Sequence, residues 1–172
     1  MMLKIALMGA VSLVFAAPAF AADAPTDPQI AHIAYTAGNI DIAAAKQALG
    51  KTHNKAIRGF AEEMVRDHTA VNDKALALVK KLHVTPQANP TSASLTKDAE
   101  ATQSRLKKLS GAAFDRAYID NEVAYHKTVN GALEKTLIPS AKNAELKSLL
   151  QTGLSLFREH EAHAEQVAKE LK

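Results

Sequence analysis

Three histidines occupy positions of this sequence where core leucines are expected. His68, His126 and His160 each lie near the middle of a stretch whose apolar residues recur every three or four positions, which is the spacing of one face of an α-helix. An imidazole is costly to bury without a partner. The three histidines therefore predict a buried polar site in which they meet each other, an acid, water or a metal ion.

Two further side chains lie within one helical turn of these histidines. Glu122 precedes His126 by four residues and His163 follows His160 by three, so each pair shares a helix face. Neutral imidazole is a ligand for zinc, copper and iron. The pattern therefore indicates that the cofactor, if a metal is bound, is one of these ions. The predicted ligands are His68, Glu122, His126, His160 and His163.

The pattern differs from that of the di-iron carboxylate bundles, which use Glu-x-x-His on two helices and a Glu on each of two others. No Glu precedes any of the three core histidines by three residues. Counting from the first turn places His68 opposite residues 35–37, so Asp41 is expected about one and a half turns off level. We therefore expect no ferroxidase chemistry. The sequence favours a protein that is not an enzyme, since it has no Gly-rich phosphate loop and no nucleophile motif.

Three functional hypotheses remain open. In the first, the histidines bind a metal in a non-catalytic or stress-related role, and Asp67 or Glu159 accepts the second ring N–H of a ligating imidazole. In the second, the protein is a structural or interaction module of the cell envelope. Its histidines then form a metal-free network with Glu122, Asp67 and tyrosine hydroxyls that fixes helix register. In the third and least supported, the site is a metal-dependent oxidase. A measurement of metal binding would distinguish the first and third hypotheses, which require a metal, from the second, which does not.

The positioning elements are predicted to be helices. Asp27 is the expected N-cap of the first helix with Pro28 at its first position, and Gly50 is its C-terminal cap. Residues 84–94 contain prolines and small polar residues typical of a loop. Either Ser140 or Asn143 caps the last helix. The predicted helices span residues 27–49, 52–83, 95–109, 112–138 and 140–171.

Composition indicates an all-α protein. The chain has 172 residues, 47% hydrophobic, with only 5% aromatic residues and no Trp, and it is rich in helix-forming Ala, Leu, Lys and Glu. The net charge is +3, and the charges alternate in sign along the helix surfaces. Without a basic stripe, nucleic-acid binding is not expected. Protein partners and self-association into a homo-oligomer are left open.

The first 21 residues are expected to be a signal peptide. Lys4 precedes a continuous apolar run over residues 5–17, and Ala19-Phe20-Ala21 is a small-residue cleavage site. The apolar run is shorter than the ~20 residues of a membrane span, so no integral span is expected after cleavage. The sequence has no cysteine, which excludes disulfides and a lipidated N-terminal Cys. We predict a periplasmic protein with one domain over residues 22–172.

Several segments together resemble a known family. They are the run Phe60-Ala-Glu-Glu-Met-Val-Arg-Asp-His68, the pair Phe114-Asp115 with Tyr118 and His126, and the pair His160/His163. These are similar to exported bacterial ferritin-like proteins of unknown function, many of which carry an outer-membrane protein name. The resemblance implies an all-α, ferritin-like four-helix bundle of two antiparallel hairpins with a short extra helix in the crossover. It implies no reaction. Members commonly carry a Glu near Asp41.

Overall fold

The computed structural model describes residues 24–171, and these are helical with short connections, which confirms the all-α prediction. A π-helical segment, Leu133–Leu137, joins α4 to α5. The predicted signal peptide lies outside the described residues. None of the helices in residues 24–171 combines the length and the apolar character that a bilayer span requires. The helices are α1 (Asp27–Leu49), α2 (Lys55–Lys81), α3 (Pro90–Lys107), α4 (Gly111–Ala132), α5 (Ile138–Ser140) and α6 (Ala144–Glu170).

The start of α1 differs from the prediction. Thr26, not Asp27, is the N-cap, and its backbone N–H donates to Gln29 Oε1 at 3.0 Å. Asp27 is the first helical residue. Its carboxylate accepts hydrogen bonds from the backbone N–H groups of Lys142 and Asn143 at 2.9 and 2.8 Å. Asp27 therefore ties the start of α1 to the segment that begins α6.

The start of α3 also differs from the prediction. The loop predicted over residues 84–94 ends at Asn89 in the structure. Asn89 is the N-cap, and its side-chain oxygen accepts a hydrogen bond from the Ser92 N–H at 3.0 Å. Pro90 is the first helical residue. Asn followed by Pro is a strong helix start, since the Asn side chain supplies an acceptor and proline has no N–H that would need one. At α6 the cap is Asn143, one of the two predicted candidates, and its side chain accepts hydrogen bonds from the backbone N–H groups of Glu145 and Leu146.

The fourth predicted helix, over residues 112–138, is interrupted. Residues 133–137 adopt the wider π-helical winding before the chain returns to an α-helical turn at Ile138. Leu133 and Leu137 are buried at the two ends of this segment, whereas residues 134–136 are exposed. The segment thus places both leucines in the core while three consecutive side chains face solvent.

The four long helices close around two cores. Helix α1 packs along α2 and α4 packs along α6, while contacts of α2 with α6 and of α1 with α4 complete the ring; α3 lies mainly against α1. We call one core the aromatic core, which includes Ala44, Ala48, Ile57, Phe60, Met64, Leu106, Phe114, Tyr118, Ile119, Ala164 and Val167. We call the other the aliphatic core, which consists of Ile30, Ile33, Leu133, Leu137, Ala141, Leu146, Leu150, Leu154 and Phe157.

Each long helix passes from one core to the other, and a polar residue lies at the crossing point. On α1, Asp41 separates Ile33 of the aliphatic core from Ala44 of the aromatic core. The same order holds on α6, where His160 lies between Phe157 and Ala164. The polar side chains therefore form a layer across the middle of the fold.

Candidate metal centre

The polar layer brings together five buried side chains from all four long helices. Asp41 comes from α1, His68 from α2, Glu122 and His126 from α4, and His160 from α6; each is at most 3% exposed. One ring nitrogen from each histidine lies within 4.8 Å of one from each of the others. Four of the five predicted ligands thus lie in one buried layer, and three of them, His68, His126 and His160, form one set of donor atoms.

The sequence analysis placed Asp41 about one and a half helical turns from the level of His68, too far to contact it. That prediction is wrong. Its Oδ2 lies 3.4 Å from His68 Nε2 and 3.5 Å from His126 Nε2. Side chains on a helix tilt toward the N-terminus of their own helix. Because α1 and α2 are joined by a short turn and run in opposite directions, the tilts of Asp41 and His68 bring the two side chains toward each other. The sequence signal was the acid's place between Ala37 and Ala44 on the inward stripe of α1.

His126 and His160 are each oriented by an acceptor on one ring nitrogen. His126 Nδ1 donates to the backbone carbonyl of Glu122 at 3.0 Å, so its Nε2 carries the lone pair. His160 Nε2 donates to Asp67 Oδ2 at 3.1 Å, which leaves the lone pair on Nδ1. Both free nitrogens are buried and have no hydrogen-bond partner among the described residues. An acceptor on the far nitrogen is the usual support of a metal-ligating histidine.

His68 is oriented by stacking instead. Its ring lies nearly parallel to that of Phe157, with centroids 4.6 Å apart and an angle of 12° between the planes. The contact of its Nε2 with Asp41 does not meet hydrogen-bond geometry, and within residues 24–171 neither ring nitrogen has a partner. The side chain is therefore fixed in place while both of its nitrogens remain available.

Burial keeps the cluster uncharged near neutral pH. It raises the pKa of Asp41 to about 8, and it lowers the pKa of His68 to about 3 and that of His126 to about 4. The pKa of Glu122 is raised by its burial and then by neighbouring Asp41. Neutral imidazole is the form that binds metals. These histidines therefore need not lose a proton before they bind an ion.

Glu122 and two tyrosines complete the surroundings. Glu122 Oε2 lies 3.8 Å from His126 Nδ1, and an oxygen of Glu122, one of Asp41 and a nitrogen of His126 form a second set within 4.8 Å. Tyr125 donates its hydroxyl to the Ala37 carbonyl at 2.8 Å. The buried Tyr118 hydroxyl has no partner in the described part of the chain. Neither hydroxyl makes the hydrogen bond to a histidine that the metal-free network anticipates.

His163, the fifth predicted ligand, lies apart from the other four. Its Nδ1 donates to Glu63 Oε2 at 2.6 Å, and its side chain is 41% exposed. The side chain of Glu63 is 28% exposed. Glu63, Asp67 and His160 make a third set of donor atoms within 4.8 Å, nearer the surface. Arg66 bonds to Asp67 and lowers the pKa of that carboxyl.

The fold and the cluster define an all-helical protein with a buried group of histidine, aspartate and glutamate side chains. Its sequence matches the family described as domain of unknown function DUF4142 over residues 14–167. The chain belongs to this family. The match confirms the resemblance to a family of unknown function. No curated protein and no solved structure matches the chain.

Proposed function

We propose that this chain is an exported metal-binding protein in which His68, His126 and His160 hold one transition-metal ion in a non-catalytic role. The observation that carries the proposal is the convergence of three imidazole nitrogens from three helices within 4.8 Å. Buried polar groups without partners are costly. An ion at this point would satisfy them together.

The spacing of the donors favours zinc. In a tetrahedral site with bonds of about 2.0–2.1 Å, neighbouring ligand atoms lie about 3.4 Å apart. Asp41 Oδ2 lies 3.4 Å from the ring nitrogen of His68 and 3.5 Å from that of His126. Asp41, which lies at ligand spacing from two of the three histidines, is the proposed fourth donor. Glu122 lies beside the other ring nitrogen of His126, Nδ1, and is not one of the four. Iron and copper also bind imidazole, so the test includes all three ions.

Four protein donors support a non-catalytic role. Structural zinc sites use four protein ligands, whereas catalytic sites keep one position for water or substrate. The site also lies between two apolar cores, and its side chains are at most 3% exposed. A substrate would have to enter through this packing, which a storage, buffering or structural role does not require.

The test is a calorimetric titration of the metal-free protein with Zn²⁺, Cu²⁺ and anaerobic Fe²⁺. We expect saturation near one ion per chain, and at 100 times the dissociation constant a rise of about 2.7 kcal/mol in the free energy of unfolding. The His126→Ala/His160→Ala double variant should lose this binding. His53→Ala is the control, because His53 is exposed and lies between α1 and α2. Equal binding by the double variant and the control would overturn the proposal.

A second candidate is a metal-free polar layer that fixes helix register in an envelope protein. The observation in its favour is the neutrality of the cluster, since burial protonates Asp41 and deprotonates His68. Such a layer can be stable without an ion. A folded protein whose melting temperature does not change with any of the three ions would favour this candidate over the first.

The fold and location belong to the same proposal. A ferritin-like arrangement is supported by two helix pairs, α1 with α2 and α4 with α6, and by α3 in the long crossover between them. Export to the periplasm is supported by the charged start, the apolar run and the Ala19-Phe20-Ala21 site. Cell fractionation with mass measurement of the N-terminus tests location; a cytoplasmic chain that retains residues 1–21 would contradict it.

A further inference from the structure

The aliphatic core encloses a cavity of about 800 Å³. Its walls come from α1, α2, α6, the end of α4 with the π-helical segment, and the start of α3. Protein interiors are normally packed without voids of this size, and ligand sites typically measure about 300–1,000 Å³ with mostly apolar walls. The walls here are mostly apolar and include Ala34, Ala37, Ala75, Val129, Leu150 and Gly153.

The cavity arises because small residues stand where large ones could pack. Ala34 on α1, Ala75 on α2 and Gly153 on α6 face a common space. These small residues lie about two helical turns from the polar layer. About two turns from the layer on its opposite side, the aromatic core is filled by Phe60 and Tyr118, which are fully buried. Within residues 24–171 the same four helices therefore fill one end with large side chains and leave a ligand-sized space at the other.

The π-helical segment forms part of the cavity wall. Leu133 and Leu137 line it from their buried positions, while Lys135 and Thr136 line it and are exposed. The two exposed residues therefore lie at the mouth. Single π-helical turns within α-helices frequently occur at functional sites, and here the wider turn shapes one wall of the space.

The mouth carries one charge. Among the described residues that line the cavity, Lys135 alone has a charged side chain. It takes part in none of the ion pairs found in residues 24–171. The remaining polar wall residues are neutral amides and hydroxyls. A ligand that matches this wall has a long apolar body and one anionic group at the open end.

We propose that the cavity binds the hydrocarbon chain of an anionic amphiphile, with its head group at Lys135 and its chain among Ala34, Ala75 and Leu150. A free fatty acid and an acyl chain of an anionic phospholipid share this chemistry. The inner end of the cavity is Phe157, which separates it from the histidines. The proposal therefore does not depend on metal binding at the polar layer.

The test is titration of the exported protein with cis-parinaric acid, a fluorescent fatty acid. We expect saturable binding that oleate displaces. Ala75→Phe fills the cavity and should weaken binding at least ~10-fold. Ala77→Phe is the matched control, since Ala77 is exposed on the same helix and does not line the cavity. If Ala75→Phe lowers the melting temperature, the smaller Ala34→Leu takes its place. Absence of saturable binding, or equal binding by filled and control variants, would overturn the proposal.

A second variant tests the head group. Lys135→Gln should weaken oleate binding about threefold, the size expected for an exposed ion pair, and should leave the uncharged oleyl alcohol unaffected. Equal weakening of both ligands, or of neither, would contradict the assignment of the anionic end to Lys135.

Vesicles separate the two sources of the ligand. Uptake of a parinaroyl phosphatidylglycerol from vesicles, with displacement by unlabelled phosphatidylglycerol, would assign the cavity to a phospholipid chain. Displacement by free oleate alone would assign it to a fatty acid. Self-association of the protein with no uptake from either source would assign the apolar walls to a second copy of the chain and overturn the proposal.

Discussion

The two cores of this protein are built from the same four helices but have opposite properties. The aromatic core is filled by large side chains, with Phe60, Phe114 and Tyr118 fully buried. The aliphatic core encloses a cavity of about 800 Å³. The polar layer with its three histidines lies between them. The comparison shows that one end of the fold is filled by large side chains, whereas in residues 24–171 the middle contains buried polar atoms without hydrogen-bond partners and the other end contains a cavity.

The largest expected effect comes from removing a side chain of the aromatic core. Phe60→Ala should lower the free energy of unfolding by about 3–5 kcal/mol, because its neighbours leave no space for relaxation. Leu150→Ala should cost only about 2 kcal/mol, since Leu150 already borders the cavity and its removal enlarges an existing space. Urea unfolding of both variants measures the difference. Equal losses would mean that the two cores are packed alike.

A smaller effect is expected at Gly38, where the polar layer meets the cavity. A Cβ added there would overlap Asn72 Oδ1, and Asn72 is buried and donates to Asn39 at 3.1 Å. Gly38→Ala should therefore destabilise the protein by about 1–3 kcal/mol.

The matched control is Gly59→Ala on α2, where a Cβ would meet nothing within 4 Å. This change should stabilise the helix by about 0.5–1 kcal/mol, because alanine restricts the unfolded chain more than glycine does. Thermal melts of both variants provide the measurement. A stabilised Gly38→Ala protein would show that Asn72 is free to move and that the boundary is loosely packed.

The pH dependence of stability tests the polar layer itself. The pKa of Asp41 is about 8 in the folded protein against an ordinary value of 3.8. The folded state therefore holds a proton that the unfolded state has lost, and the free energy of unfolding falls as pH rises toward 8. His68 acts in the other direction, since its pKa drops from 6.5 to about 3 and stability is lost as pH falls below 6.5.

Between pH 6.5 and 8 each raised carboxyl should lower the free energy of unfolding of the metal-free protein by up to about 1.4 kcal/mol per pH unit. The buried histidines offset part of this slope up to about pH 7.5, because they are still partly protonated in the unfolded chain. Urea unfolding with chelator present gives this slope. Asp41→Asn should reduce it and leave the part that Glu122 contributes. A slope in the wild-type protein equal to that in Asp41→Asn would contradict the burial of a protonated Asp41.

Most of the fold could be predicted from the sequence, because helix periodicity and caps are local signals. The apolar stripes identify the four long helices, and Asn143 marks the start of α6. The start of α3 was also readable, since Asn89-Pro90 combines an N-cap with a proline at the first helical position. It was interpreted as loop because prolines and small polar residues cluster there.

The site was predictable in part. A histidine on an apolar stripe is a strong signal, and it identified His68, His126 and His160. Asp41 carries the same signal on α1. Its position along the helix axis relative to His68 was estimated from the number of residues to the turn, without the direction of the side chains. In antiparallel helices the side chains tilt in opposite directions, so Asp41 and His68 can meet although their backbone positions were placed about one and a half turns apart. The carbonyl that orients His126 is equally invisible to the sequence, because every residue has one.

The cavity and the π-helical segment could not be predicted, because both depend on how four helices pack. Ala34, Ala75 and Gly153 look like ordinary small helix residues until they are found around one space. No residue between Leu133 and Leu137 distinguishes π-helical from α-helical winding. Periodicity identifies which face is inward, whereas the space left between inward faces is a property of the assembled structure.

The most direct test of the central claim is elemental analysis of the protein purified from the cells that produce it, without chelator and without an affinity tag. The proposed site predicts close to one zinc, iron or copper ion per wild-type chain, and none in the His126→Ala/His160→Ala variant. A folded wild-type protein with no bound metal, or a double variant that carries as much metal as the wild type, would contradict the assignment of the polar layer as a metal centre.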